Sequence, residues 1–248
     1  MSQSRISRLF VDQPLKPGGL TTLDERGTHY LKHVLRLKDG DKVRLFNGSE
    51  DQEFLSELRF KGKSAQAAII DSITGNTRSK RNIHLLQAIG KPETMDFIFQ
   101  KGTELGVTRI IVFNSERTQT PLKSARLDKK LEHWHRIAIS ACEQSGRNLL
   151  PEIDFYDSPQ QAVERYSHGS GLLLDFAGES INEACGSVAE GDDICLMIGP
   201  EGGFNSHEVE QARKHGYRAV LAGPRTLRME TAAIATLAMV QFRFGDMG

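Results

Sequence analysis

The sequence has little cysteine, one tryptophan and no long apolar run. Cys142, Cys185 and Cys195 form no Cys-x-x-Cys pair and no Cys/His cluster at zinc spacing. They suit a reduced interior better than a disulfide framework or a structural zinc site. The longest uncharged apolar stretch, TAAIATLAMVQF, is Ala-rich and too short to cross a bilayer. The opening residues, MSQSRISRLFVDQ, hold no apolar core of signal-peptide length. The expectation is a soluble, cytoplasmic protein with no membrane partner and no metal. Several nucleotide and hydrolase motifs are missing as well. There is no GxxxxGK[ST], which excludes a P-loop, and GPEGGF is not the GxGxxG of a dinucleotide site. Ser206 is not in GxSxG, which argues against a hydrolase elbow.

Net charge is zero, with 32 Lys/Arg against 32 Asp/Glu in 248 residues. The balance is uneven along the chain. Residues 1–81 carry 15 basic against 10 acidic side chains, and residues 151–248 carry 7 against 15. A basic first part can bind a polyanion while the rest does something else. An ordinary solvated surface would give the same numbers.

The chain divides by rhythm. Over residues 1–73 it reads as a small β-domain. THYLKHVLRLKDGD predicts a short helix, capped by Thr28, with Leu31, Val34 and Leu35 as its stripe and Asp39-Gly40 as its stop. Two β-rich runs flank Asn47-Gly48, a strong hairpin signal, and a third follows a Lys-Gly-Lys turn. Such a meander points to a closed or half-closed barrel. Residues 74–82, TGNTRSKRN, are polar and read as the linker. From residue 83 to 248, short apolar runs (IHLLQAIG, TRIIVF, GLLLDF, ICLMIG, RAVLAG) alternate with helical patterns. The helix from Pro92 stops at Gly106. The next carries Leu127, Leu131, Trp134, Ile137 and Ala141 on one stripe. Strands apolar on both faces that alternate with helices predict a parallel α/β sheet.

Ligands in such sheets sit at the carboxyl ends of the strands. Three ends are unusual: Leu174-Asp175-Phe176, then LMIGPEGGFNSHEVEQA, then LAGPRTLRMETAAIATLAMV. Gly199, Gly202 and Gly203 permit close backbone approach. Asn205 with Glu208 makes a capping-box start for a helix. A loop of backbone amides and carbonyls without a phosphate-binding lysine suits a flat heterocycle such as S-adenosylmethionine. A plain tight turn between strand and helix carries comparable weight. The last helix, apolar on nearly every side, is expected to be buried within the protein or a subunit interface.

The motifs LMIGPEGGF and LAGPRTLRMETA resemble the paired cofactor loops of the SPOUT superfamily of RNA methyltransferases. With ISRLFV, HYLKHVLRLKDGD, KGTELGV, RIAISACEQSGRNLLPEI and QFRFGDMG in order, nearly the whole chain resembles the bacterial 16S rRNA uracil-N3 methyltransferase family. The resemblance implies a fold of α/β class: a PUA-like RNA-binding β-barrel, then a knotted parallel-sheet SPOUT domain with a C-terminal trefoil knot. It implies a homodimer, S-adenosylmethionine as cofactor and small-subunit ribosomal RNA as partner. In the cofactor site it places Leu174, Ile198, Gly199, Pro200, Gly202, Gly203, Leu221, Gly223, Leu227 and Thr231.

Methylation at N3 removes a ring proton and leaves negative charge on the uracil carbonyls, which calls for a cation. Arg228, at the entrance to the last helix, is expected to supply it, with Arg225 taking a phosphate. Glu201 is expected to orient the sulfonium side or the uracil, or else to cap a loop amide. Glu230 in the first helical turn is equally explained by the helix dipole. Arg5, Arg8, His33 and Arg36 are expected RNA contacts. Arg147 and Asn148 are expected to be free to join them beyond Gly146. Cys142 falls on the apolar side of its helix and reads as packing, not as a nucleophile. The Trp134 helix is a candidate interface piece. A SPOUT enzyme acting on another base or on ribose 2′-OH, or a non-catalytic rRNA-binding assembly factor, are the competing functions.

Overall fold

The computed structural model describes residues 6–62, 64–75 and 77–248. It resolves into two compact units, residues 1–78 with 142–150, and residues 79–141 with 151–248.

The first unit is a five-stranded sheet of Arg8–Phe10 (β1), Leu20–Thr22 (β2), Lys42–Phe46 (β3), Gln52–Lys61 (β4) and Ser64–Thr74 (β5), in the order β1-β3-β4-β5-β2. Lys42 pairs Glu57 and Leu45 pairs Phe54, so Asn47-Gly48 starts a longer loop than a two-residue turn. Alternate residues point inward, and Leu9, Val43, Leu45, Phe54, Leu58, Ala65 and Ala67 form the core with Leu31. The first helix, Glu25–His29 (α1), starts earlier than expected. Asp24 caps it by accepting from the Gly27 amide at 2.6 Å, and Thr28 is buried one turn inside. The helix continues as a wider π-type turn over Tyr30–Val34. Leu31 is buried, whereas Val34 is 58% exposed. Arg36 then takes a left-handed backbone with φ 56°.

The second unit begins with Ile83–Ala88 (β6), Pro92–Glu104 (α2) and Arg109–Phe113 (β7). Pro92 fits the first turn of α2, where no amide partner is needed, and Gly106 with φ 82° ends it. The long helix Ser124–Ser145 (α3) follows, its last turn counted with the first unit. Glu152–Tyr156 (β8) and Pro159–Arg165 (α4) have no counterpart in the sequence reading. Next come Ser170–Ser180 (β9), Ile181–Cys185 (α5), Ile194–Ile198 (β10), Ser206–Lys214 (α6), Tyr217–Leu221 (β11) and Met229–Phe244 (α7).

The six strands are all parallel, in the order β11-β9-β10-β6-β7-β8. Their side chains alternate between two cores. Leu85, Val112, Leu196 and Val220 pack against α2, α3, α5 and α7, and Leu86, Phe113, Met197 and Ala219 pack against α4 and α6. Trp134 is 2% exposed and stacks on Phe99 with centroids 4.7 Å apart, so this side chain belongs to the core of its own unit. No helix among the described residues is long and apolar enough to cross a membrane.

Candidate active site

Strand order reverses between β10 and β6, and the loops leaving these strands share one edge of the sheet. At such a switch point the carboxyl ends diverge and leave a crevice for a ligand. After β6 the chain passes through Gly90. A Cβ there would stand 3.1 Å from the sulfur of Met229 and 3.5 Å from Oε1 of Glu201. Glu201 belongs to the loop after β10 and Met229 starts α7, so the two glycine-bearing loops of the sequence reading meet over Gly90.

The first loop is a turn closed by the Gly203 amide on the Pro200 carbonyl at 2.8 Å. Gly203 has φ 67°, a left-handed conformation that a side chain disfavours. Gly199 is crowded differently, since a Cβ there would lie 3.1 Å from the Phe204 ring. The loop ends in α6, where Asn205 and Glu208 form the expected capping box. The second loop passes Gly223 at φ 96° and enters α7 with Arg228 at the cap position and no side-chain cap bond.

Ile198 is buried, and Leu174 and Leu227 are half-buried against the same core, so the edge has apolar walls. Glu201, Thr231, Arg225 and Arg228 are exposed, and Glu230, Leu221 and Gly223 half-buried. Among the described residues neither Arg225 nor Arg228 is tied into an ion pair. Two exposed cations therefore flank a loop made mostly of backbone.

Leu174-Asp175-Phe176 does not end its strand. β9 pairs β11 through Leu173↔Ala219, breaks register, and resumes at Glu179↔Val220. Residues 174–178 stand out between these pairs, and Phe176 is 69% exposed.

The loop after β7 was missed by sequence reasoning. Arg117 donates to the carbonyls of Gly202 at 2.9 Å and Phe204 at 3.3 Å. Buried Glu208 accepts from the Ser115 hydroxyl at 2.8 Å, the Glu116 amide at 3.0 Å and the Asn205 amide at 2.9 Å. The capping box was a signal for Glu208's local partner alone. Nothing in the spacing pointed to a partner about 90 residues earlier.

The expected RNA contacts separate. His33 and Arg36 are exposed, with the His29 and His33 rings 5.0 Å apart. Arg5 lies outside the described residues. Arg8 is not a surface charge. It pairs with buried Glu53, stacks over Phe46 at 4.8 Å, and donates to Asn148 at 2.8 Å and the Arg147 carbonyl at 2.9 Å. Asn148 is 1% exposed and also donates to Asp51 at 3.2 Å. Arg147 is 8% exposed. Both residues are built into the first unit because their polar groups would otherwise be buried without partners.

Cys142 is fully buried and its thiol faces the Leu149 carbonyl at 3.6 Å. Burial pushes the thiol up to about 11, which suits packing and not nucleophilic attack. His133 pairs with Asp96 at 2.9 Å on a half-exposed surface. His84 stands 3.8 Å from Asp193, and burial lowers its pKa. Among the described residues no cluster of three metal-ligating side chains forms.

A six-stranded parallel sheet with glycine loops at its switch point defines an α/β domain whose carboxyl-end crevice is lined largely by main chain. An RNA methyltransferase domain model matches residues 77–241, and an RNA methyltransferase PUA domain model matches residues 23–70. The chain belongs to the ribosomal RNA small subunit methyltransferase E family. It is 34% identical to that protein of Buchnera aphidicola subsp. Schizaphis graminum, over 99% of both chains. It is 35% identical to the Mesomycoplasma hyopneumoniae protein, over 93% of this chain and 96% of the relative. A Legionella pneumophila methyltransferase solved with bound S-adenosylmethionine superposes with a TM-score of 0.91 at 35% identity, covering 98% of this chain and 100% of the other. The Neisseria gonorrhoeae small subunit methyltransferase E, also with S-adenosylmethionine, gives 0.88 at 32% identity, with 98% and 100% covered. The fold is thus of the SPOUT type expected.

Proposed function

We propose that this chain transfers the methyl group of S-adenosylmethionine to N3 of one uridine in small-subunit ribosomal RNA. The observation that carries the reading is the meeting of the loops 199–203 and 222–229 over Gly90. These residues fit the donor. Glycines let main-chain groups approach a flat heterocycle, and Leu174, Ile198, Leu221 and Leu227 supply apolar walls. When bound, the donor brings a methyl group on a sulfonium, whose departure requires neither a proton nor a metal.

The chain's own residues then have four tasks. Main chain at Gly199, Pro200, Gly202, Gly203 and Gly223, with Thr231 beside them, holds the donor. Arg228 faces the uracil oxygen where charge develops. Glu201 orients the reactants, and Arg225 takes a phosphate. His33 and Arg36 bind RNA backbone from the first unit.

Domain boundaries at 1–73, 74–82 and 83–248 accompany this reading, with a PUA-like barrel first and a C-terminal knot in the methyltransferase domain. Exposed Met239 and Phe242 on α7 favour a homodimer, and the substrate places the protein in the cytoplasm.

Mapping methylated nucleotides in small-subunit rRNA from cells with and without the protein tests the proposal. Loss of one N3-methyluridine is expected. An unchanged map refutes methyl transfer to this RNA, and a lost mark on another base or on ribose would reassign the target.

A further inference from the structure

Within the donor loop the backbone bond is that of the Gly203 amide to the Pro200 carbonyl, at 2.8 Å. The loop's last residues, Gly202 and Gly203, have no side chains, and glycine loses more conformational freedom on ordering than any other residue. Contacts from outside the loop that fix it let a ligand use its main chain cheaply.

We infer that Arg117 is a positioning residue for the S-adenosylmethionine loop, presented from a rigid loop that is itself locked to α6 by Glu208. This rests on the reading of residues 199–203 as the donor site. The guanidinium donates to two carbonyls of the loop, Gly202 at 2.9 Å and Phe204 at 3.3 Å. The stem of the arginine covers the glycine as well, for a Cβ at position 202 would lie 3.4 Å from Arg117 Cβ and 3.5 Å from its Cδ. One side chain thus holds the backbone by charge-assisted bonds and by contact.

The platform behind Arg117 is closed on itself. Asn114 clasps Leu122, accepting from its amide at 2.8 Å and donating to its carbonyl at 3.0 Å. The Ser115 amide donates to the Thr118 hydroxyl at 3.0 Å, and the Thr118 amide returns a bond to the Ser115 carbonyl at 3.0 Å. Glu208, 7% exposed, then joins Ser115 and Glu116 to the start of α6. Asn205 donates its side-chain amide to Glu116 across the same gap. The GPEGG turn is therefore held by β10 before it, by α6 after it, and by Arg117 from the side.

Both bonds leave one nitrogen, Nη1, which the planar guanidinium and a stem packed on Gly202 hold in place; lysine, a point charge on a flexible stem, lacks that preorganised plane. Arg117→Ala is expected to weaken S-adenosylmethionine binding by calorimetry about tenfold, the loss of charge-assisted bonds to two carbonyls. The KM for RNA is expected to stay within about twofold of wild type on the same grounds, since no RNA contact is removed. Arg117→Lys is expected to restore less than half of the lost affinity, and it serves as the readout if the alanine variant fails to fold. In the free protein, hydrogen exchange at the amides of residues 201–205 is expected to quicken in both variants. Wild-type donor affinity with unchanged exchange would overturn the inference, and so would an unchanged donor affinity with a raised KM for RNA. Failure of the wild-type protein to bind S-adenosylmethionine would instead refute the proposed function itself.

Discussion

Arg8 and Asn148, 140 residues apart in the chain, meet in a hydrogen bond of 2.8 Å. Around it Glu53, 6% exposed, accepts from Arg8 and from Arg44 at 2.5 Å, and Asp51 accepts from Asn148 and from Thr77 at 2.9 Å. Removing Arg8 strips a buried carboxylate of one of its two cations. Arg8→Ala is therefore expected to destabilise the protein by roughly 3 kcal/mol, the range for breaking a buried pair. Urea unfolding checks this, and a midpoint equal to wild type would refute the structural role.

Arg228 differs from Arg8 in having no ion-pair partner among the described residues. Arg228→Ala is expected to leave S-adenosylmethionine affinity within about threefold and to lower kcat by about a hundredfold or more, as for loss of one preorganised charge stabiliser. Parallel calorimetry and single-turnover methylation separate the two effects. Equal losses in both would mean that Arg228 only holds the donor.

Arg36 carries a left-handed backbone, which costs a non-glycine residue about 1 kcal/mol. Arg36→Gly is expected to remove a cation from the RNA face while stability holds or rises by about 0.5 kcal/mol. RNA affinity is expected to fall, with a shallower dependence on salt. An unchanged salt slope would take Arg36 out of the RNA interface.

Alkaline pH is expected to unfold the protein from within. Burial raises the Cys142 thiol to about 11 and the Cys195 thiol to about 12, from an ordinary 9.0, and it also raises the hydroxyls of Tyr166 and Tyr217. In the unfolded chain the thiols ionise near pH 9, whereas in the folded chain they keep their protons. Stability is then complete below about pH 9 and falls as pH rises through about 11 to 12. Thermal melts from pH 7 to 11 measure the slope, and Cys142→Ala is expected to flatten it while leaving methyl transfer intact.

Much of the architecture was legible because its signals are local. Pro92 and Gly106 bracket α2, alternation marked β3 to β5, and doubly apolar runs marked β6, β7, β10 and β11. The strand β8 escaped since EIDFY is half-exposed at the sheet edge and lacks a continuous apolar run. The glycine loops of the site stood out for the same local reason that made α2 visible. What holds them did not, because Arg117 and Glu208 act across about 90 residues of chain. Arg8 and Asn148 were misread as RNA contacts for a related reason. A charged or polar letter near a basic stretch looks solvated until its partner, far along the chain, is known.

The break in β9 has a mechanical consequence. Residues 174–178 leave and rejoin the ladder against the same neighbour, β11, with Leu173 pinned to Ala219 and Glu179 to Val220. Both feet of the segment are thus anchored on one strand. The segment forms a kerb standing out from β9, and its crest, Phe176, is turned to solvent.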